Sequence, residues 1–399
     1  MNKENTISTN TLRYNVRYFY EIIKNIKNIK FNVGYDFKSH DSRKVIIFSH
    51  EMTKTGAPLL LLHIVKGLHA KGYNIIVVSQ CAGPLLKEFS EFSDVYICRK
   101  PLKFEKRLDE LISLGFNSAL INTVICGRWI ELLKSKGLNT VSLVHEMPNV
   151  IKTWKAEDEA RKISLLSDIV IFPSMFVKEK FEEFQEDSFN FSILTQGIYL
   201  KPESKLDKLQ SYVQVKDRYS LKEKDIILNV ASGNHRKGFD LFLKMAIKYR
   251  NYNYIWVGNY DKSILNSVLS NTNILEVDNL KLVGYVDSPS ELSQLYSSAS
   301  VLALTSREEP FGSIVLESMY AGTPVVAFEN AGGFKDVVVN DKTGYLVEYE
   351  NIDEMINKIE YLTSNEERYR RFSNESSLLV EDYSFEKYIN KLNYYLSRH

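Results

Sequence analysis

Two glutamates eight positions apart, Glu309 and Glu317, bracket a loop and a helix start in the run SREEPFGSIVLESMYAGTPVVAFENAGG (306–333). The apolar run VLALTS before it reads as a strand, and the pattern after Gly312 reads as a helix from about Ser313 that Gly322 and Pro324 stop. The first turn of such a helix carries backbone N–H groups without intrahelical partners. The amides of Phe311, Gly312 and Ser313 therefore make an anion site suited to phosphate. Gly312 has no Cβ, so a ligand can come close to the backbone. Carboxylates repel phosphate but accept hydrogen bonds from hydroxyls. A ligand carrying both groups reconciles them, and a nucleotide sugar does so with its diphosphate at the helix end, its ribose on one glutamate and its hexose on the other. Two surface acids near a helix start, where acids are favoured, would look the same in sequence.

A second cluster lies in NVASGNHRKGFD (229–240), where Arg236 and Lys237 precede a glycine and a helix, at a point where a diphosphate needs compensating charge. The spacing from Gly233 to Gly238 is not a Walker loop, because Phe239 stands where that motif requires lysine. Nearer the N-terminus, HEMTKTGAP sets Gly56 between a strand and a buried helix, where the backbone can approach a phosphate or an acceptor. An ordinary strand-to-helix turn has the same appearance. Of the seven histidines, His145 ends the run TVSLVHE at a sheet edge, whereas His63 and His69 sit within a helix and read as packing or surface residues. The sequence contains no Asp-x-Asp triplet and no His, Asp or Glu cluster with metal-ligand spacing. The expectation is a diphosphate held by cations and a helix dipole, with no metal and no cofactor beyond the co-substrate.

The elements that must carry these residues alternate regularly. KVIIFS, NIIVVS, VYI, SALINT, TVSLVHE and SDIVIFPS are short, nearly continuous apolar runs separated by helical stretches, the pattern of a parallel sheet covered on both faces. The stretch from Thr195 to Lys224 turns polar and irregular, like a linker. A second series follows in DIILNVAS, YIWVG, LKLVG, SVLALTS, PVVAF and GYLVEY, and a last helix is expected over Phe385–Leu396. The chain reads as α/β, with two Rossmann-like, doubly wound parallel-sheet domains facing across a cleft. The expected divisions are a basic extension over 1–40, a first domain over 41–205, a second over 206–380, and a C-terminal helix over 381–399 that packs back across the hinge.

Glu309-Pro-Phe-Gly, the seven residues separating Glu309 from Glu317, AGTPVVAF, the pair Gly332-Gly333 and TGYLV at 343–347 together resemble the donor-site signature of retaining family 4 glycosyltransferases of the GT-B fold. The likeness runs over most of residues 44–350, and it implies that 41–205 is the acceptor domain and 206–380 the nucleotide-sugar donor domain. It implies that Lys237 clamps a donor diphosphate with Arg236 as helper, that Glu309 orients the sugar, that Glu317 holds the ribose, and that His145 lies close to the donor sugar. Backbone groups near Val283 and Tyr285 would read the base. One departure is Ala231, where many members carry an arginine. HEMTKTGAP and LVHEMP look like the bacterial surface-polysaccharide type. The resemblance thus implies metal-independent hexosyl transfer with retention, from a nucleotide sugar, UDP-linked rather than GDP-mannose. The acceptor would be a glycan or a saccharide carried on a polyprenyl lipid.

Composition bounds the partners. With 51 Lys+Arg against 50 Asp+Glu in 399 residues, a general basic surface for nucleic acid is absent. Three cysteines without CxxC pairing suit a reducing cytoplasm. The segment 12–31 is read as a basic amphipathic helix, with Arg13, Arg17, Lys24, Lys27 and Lys30 against Glu21. It could pack on the fold or meet an anionic membrane at the inner face of the cell membrane. Two rival readings share the architecture: a nucleotide-sugar epimerase or phosphorylase, and a non-catalytic partner subunit that keeps the fold.

Overall fold

The computed structural model describes residues 29–31, 43–185, 187–199, 206–270 and 277–397. They fall into two compact units. The first gathers the chain up to Phe172, Glu182–Ser192 and the residues from Ile389 on; the second holds Pro173–Phe181 and Ile193–Tyr388. The boundary read at 205 therefore differs from the structure, which assigns 193–199 and 173–181 to the second unit.

In the first unit the strands are β1 (Ile29–Phe31), β2 (Lys44–Ser49), β3 (Asn74–Ser79), β4 (Asp94–Ile97), β5 (Ser118–Asn122), β6 (Asn139–Leu143), β7 (Ile169–Phe172) and β8 (Phe191–Ile193). They lie in the order β1-β4-β3-β2-β5-β6-β7-β8. β2 pairs in parallel with both β3 and β5, and β1 runs antiparallel to β4. Val45–Phe48 and Ala119–Ile121 have no accessible surface. Covering both faces of the sheet is what their unbroken apolar sequence requires. The chain winds β2, β3, β4 to one side and β5, β6, β7 to the other, so its direction reverses between β2 and β5. Residues 389–397 complete this unit's packing: the Tyr73 hydroxyl donates to Asn393 Oδ1 at 2.9 Å, and Ser118 Oγ to the Leu396 carbonyl at 3.0 Å.

The second unit contains β9 (Ile226–Val230), β10 (Asn253–Val257), β11 (Leu280–Gly284), β12 (Val301–Leu304), β13 (Val325–Phe328) and β14 (Gly344–Val347). Their order is β11-β10-β9-β12-β13-β14, and every pairing is parallel. The winding reverses between β9 and β12. In open α/β sheets the crevice beyond the strand ends at such a reversal is where ligands bind. Phe239, Phe242 and Trp256 fill the core beneath that edge, with ring centroids 4.9 and 5.3 Å from Trp256.

Three readings change. The stretch 195–224 includes a helix, Lys208–Tyr219, capped by Asp207, which accepts from the Gln210 amide at 2.7 Å. Its sparse apolar face, Ser211 and Val215 buried, explains why its periodicity was hard to see. The run TVSLVHE stops pairing at Leu143, which leaves His145 in the loop after β6 rather than on the strand. The helix read over 12–31 lies outside the described residues except at 29–31, and those form β1. Among the described residues, no helix is long and apolar enough to cross a membrane.

Candidate functional site

In the second unit, the loop after β9 (231–238) and the loop after β12 (305–312) meet at the winding reversal, and several polar contacts join one to the other. Lys237 Nζ forms an ion pair with the Glu309 carboxylate, both side chains being nearly buried. Burial pulls the Lys237 ammonium below its ordinary pKa, against the opposing pull of Glu309. Arg236 Nη1 donates to the Glu308 carbonyl at 2.8 Å, which spends part of its fork on holding the second loop. The Asn234 side chain caps the Lys237 amide at 3.0 Å, and Thr305 Oγ1 donates to the Gly238 carbonyl at 3.0 Å.

Glu309 itself is pinned at both ends of its peptide: its amide donates to the Ala331 carbonyl at 2.7 Å, and its carbonyl accepts from the Gly333 amide at 3.1 Å. Gly312 precedes the helix Ser313–Tyr320 with φ of 81°, a left-handed conformation that glycine adopts without strain. Phe311 is 3 % exposed, so its ring belongs to the core and only its backbone faces the helix start. Val283 lies in β11 and Tyr285 just beyond it, half exposed. The Gly258 amide bonds the Gly284 carbonyl at 2.6 Å and ties this edge to the end of β10.

Glu317 sits one turn into the helix, half-buried. Tyr296 donates its hydroxyl to Glu317 Oε2 at 2.9 Å, and Ser313 also hydrogen-bonds the carboxylate. Burial outweighs both bonds and raises the carboxyl to about 7. The folded state therefore holds a proton between roughly pH 4.5 and 7 that the unfolded chain has released, so stability is greatest below this window and falls as pH rises through it. Glu317→Gln keeps the acceptor oxygen and removes the titration. From pH 5 to pH 8 the variant should gain about 1–3 kcal/mol on wild type in urea unfolding. A difference between the two proteins that does not change with pH would contradict this account.

Arg307 and Tyr296 were not singled out from the sequence. Arg307 makes two bonds to Asp240 at 2.7 and 2.9 Å, donates to the His235 carbonyl at 2.6 Å and pairs with Glu350. Its only local signal is a charge in the loop three residues after β12, and its partners lie more than forty residues away in sequence.

In the first unit, His145 Nε2 lies 3.1 Å from Asn122 Oδ1. Asn122 donates its amide nitrogen to the Ala57 carbonyl at 3.4 Å, which turns Oδ1 toward the ring and places the imidazole proton on Nε2. Burial, then the neighbouring His50, lowers His145 to about 4, so the ring is neutral at pH 7. Glu146, 6 % exposed, accepts the amides of Val124 and His145 at 3.1 and 3.2 Å. Those bonds hold Thr123 at φ 75° and ψ 153°, a region β-branched residues avoid, with Thr123 Oγ1 3.1 Å from His50 Nδ1. Gly56 opens the helix Gly56–Ala70, and a Cβ there would meet nothing within 4 Å. Among the described residues, no group of three or more His, Cys, Asp or Glu is placed to hold a metal ion.

Residues 214–378 match the family described as Glycosyl transferases group 1, and residues 41–169 match Glycosyl-transferase family 4. An uncharacterized glycosyltransferase of Haemophilus influenzae is 32 % identical over 180 residues, which is 44 % of this chain and 50 % of that protein. The poly(ribitol-phosphate) alpha-N-acetylglucosaminyltransferase of Staphylococcus aureus is 32 % identical over 114 residues, 28 % of this chain and 22 % of that one. The chain thus spans half the length, or less, of these curated relatives. The Anabaena protein HepE, solved in complex with UDP-glucose, superposes with a TM-score of 0.75 at 17 % identity, over 89 % of this chain and 99 % of that chain. At that identity the likeness is one of fold, and the fold is GT-B.

Proposed function

The chain belongs to the family 4 glycosyltransferases of the GT-B fold, and on that premise we propose that it moves a hexosyl group from a nucleotide sugar to a saccharide acceptor, with retention and without a metal ion. The observation that carries the reading is the buried Lys237–Glu309 pair at the winding reversal of the second unit, beside the amides of Phe311, Gly312 and Ser313. In the reaction the anomeric C–O bond to the diphosphate breaks, and positive charge spreads over the sugar ring while the diphosphate departs as an anion. Lys237, Arg236 and the helix-start amides stabilise that anion. Glu309 accepts hydroxyls of the donor hexose, and Glu317 those of the ribose. The acceptor oxygen bonds the anomeric carbon on the face the diphosphate leaves, and its proton passes to a phosphate oxygen. His145, neutral with its proton on Nε2, is the residue we assign to the donor sugar from the first unit.

A UDP-linked donor is favoured by the HepE complex with UDP-glucose. Synthesis of a cell-surface polymer is favoured by the Staphylococcus aureus relative, a poly(ribitol-phosphate) alpha-N-acetylglucosaminyltransferase. Contact with an anionic membrane at the cytoplasmic leaflet, through the basic segment 12–31, suits an acceptor carried on a polyprenyl lipid.

The test is nucleotide release from a panel of UDP-, GDP- and dTDP-sugars without added metal, beside a Glu309→Ala control. Slow release from one donor, abolished in the control, is the expected result. Absence of both release and nucleotide binding would retire the reading. On the same samples, Glu317→Ala should weaken nucleotide binding by about 1.5–3 kcal/mol, the range for a hydrogen bond to a charged group. Unchanged affinity would remove Glu317 from the ribose role.

A further inference from the structure

The winding reversal of the first unit, between β2 and β5, carries a group of side chains that the donor chemistry above does not use. β2 runs directly into His50 and Glu51, and the loop continues through Thr53 and Thr55 to the helix at Gly56. Glu51 Oε1 receives Thr53 Oγ1 at 2.7 Å, Thr55 Oγ1 at 3.4 Å and His50 Nε2 at 3.5 Å. These contacts, with the two threonine hydroxyls 2.9 Å from each other, orient the carboxylate, whose side chain stays about one-third exposed at 34 %. The His50 bond, helped by the threonines, holds Glu51 below the usual carboxylate range, so it is an anion and a strong hydroxyl acceptor at neutral pH. On His50 also packs Trp154, which follows the short helix Pro148–Thr153. The indole packs against the His50 ring with centroids 5.8 Å apart and planes at 41°. It stays 42 % exposed, although it is the kind of side chain that gains most from burial. The other two tryptophans, Trp129 and Trp256, have no accessible surface.

A part-exposed indole and an oriented carboxylate that both contact one residue, His50, are the chemistry that recognises a pyranose: the apolar C–H face of the sugar ring lies on the indole, and hydroxyls at its edge donate to the carboxylate. It is poor chemistry for a phosphate, which Glu51 would repel, and for an open-chain alditol, which has no flat apolar face. We propose that Trp154 and Glu51 form the platform on which the saccharide acceptor binds, with His50 supporting the indole and Thr53 and Thr55 orienting the carboxylate. This rests on the glycosyl-transfer reading for the word acceptor, and on the geometry of the first unit alone for sugar binding.

The experiment uses the full chain. Trp154 is the tryptophan that solvent reaches, so acrylamide quenching of fluorescence reports on it directly. The probes are glucose, galactose, N-acetylglucosamine, their methyl glycosides and simple disaccharides, then glycerol phosphate and ribitol phosphate, then intact UDP-sugars. Protection from quenching by one or more free pyranosides, lost in Glu51→Ala, is the expected result. Protection by UDP-sugars alone overturns the proposal, because the ring on Trp154 is then the donor's. Protection by the alditol phosphates alone, or by none of the probes, overturns it as well. In transfer assays Trp154→Ala should raise the acceptor KM on the order of tenfold, with Trp154→Phe recovering most of the loss. A urea-unfolding transition followed by far-UV circular dichroism checks that the first unit of the variants is folded. An unchanged KM in Trp154→Ala counts against the platform. Should wild type neither release nor bind nucleotide from any donor while a pyranoside still protects Trp154, the transfer reading fails and the sugar site survives it.

Discussion

Lys237→Ala is expected to lose on the order of 100-fold or more in turnover, the scale seen when one preorganised group facing a developing anion is removed. The structure adds a complication that the sequence could not show. Lys237 is already paired with Glu309 in a nearly buried setting, so truncating it strands a carboxylate without a counter-ion. Breaking a buried pair from one side costs about 3–5 kcal/mol, and the single variant would lose stability as well as rate. The double variant Lys237→Ala/Glu309→Gln separates the two effects. Its melting temperature should recover most of the loss, because the stranded charge is gone, while its turnover should stay as low as that of the single variant. Turnover close to wild type in the Lys237→Ala protein would sink the donor-site assignment. Recovery of turnover in the double variant would mean that Lys237 acts through stability alone.

Gly238→Ala should be the most damaging single substitution to the fold of the second unit. Gly238 has φ of 66°, and a Cβ on it would lie 1.8 Å from the Thr305 carbonyl oxygen, a backbone atom that cannot rotate aside. Relieving that contact means separating the loops after β9 and β12, and the cost is about 3 kcal/mol or more from overpacking and left-handed strain together. Urea unfolding is the measurement, with Gly56→Ala as the matched comparison. A Cβ at Gly56 meets open space, so that variant should stay within about 1 kcal/mol of wild type. Equal behaviour of the two variants would show that the approach of Gly238 to Thr305 does not constrain the fold.

Strand placement was legible because β2, β3, β5, β9 and β12 are covered on both faces and must therefore be apolar at nearly every position. The helix Ser313–Tyr320 was legible through its glycine start and its Gly-Thr-Pro stop. The helix Lys208–Tyr219 was not, since it buries little and keeps polar residues on most of its surface. Glu309 and Lys237 could be named from their loops, yet nothing local says that they touch, because their contact follows from β9 and β12 lying side by side. Glu317 was readable as a position but not as an acid raised to about 7, since that depends on Tyr296, which arrives from a helix twenty-one residues earlier. The Thr123 conformation is likewise invisible in sequence. It accompanies a buried carboxylate, Glu146, that accepts the Val124 amide from a different loop.

Arg307 bonds residues 72, 67 and 43 positions away in the chain. None of those contacts can form until β9 and β12 have paired, so closing them costs chain entropy that only the assembled sheet repays. The loops around Lys237 and Glu309 therefore assemble late in folding and open together. Their amides, from His235 to Asp240 and from Arg307 to Glu309, belong to one cooperative block of hydrogen exchange rather than to two independently fraying turns.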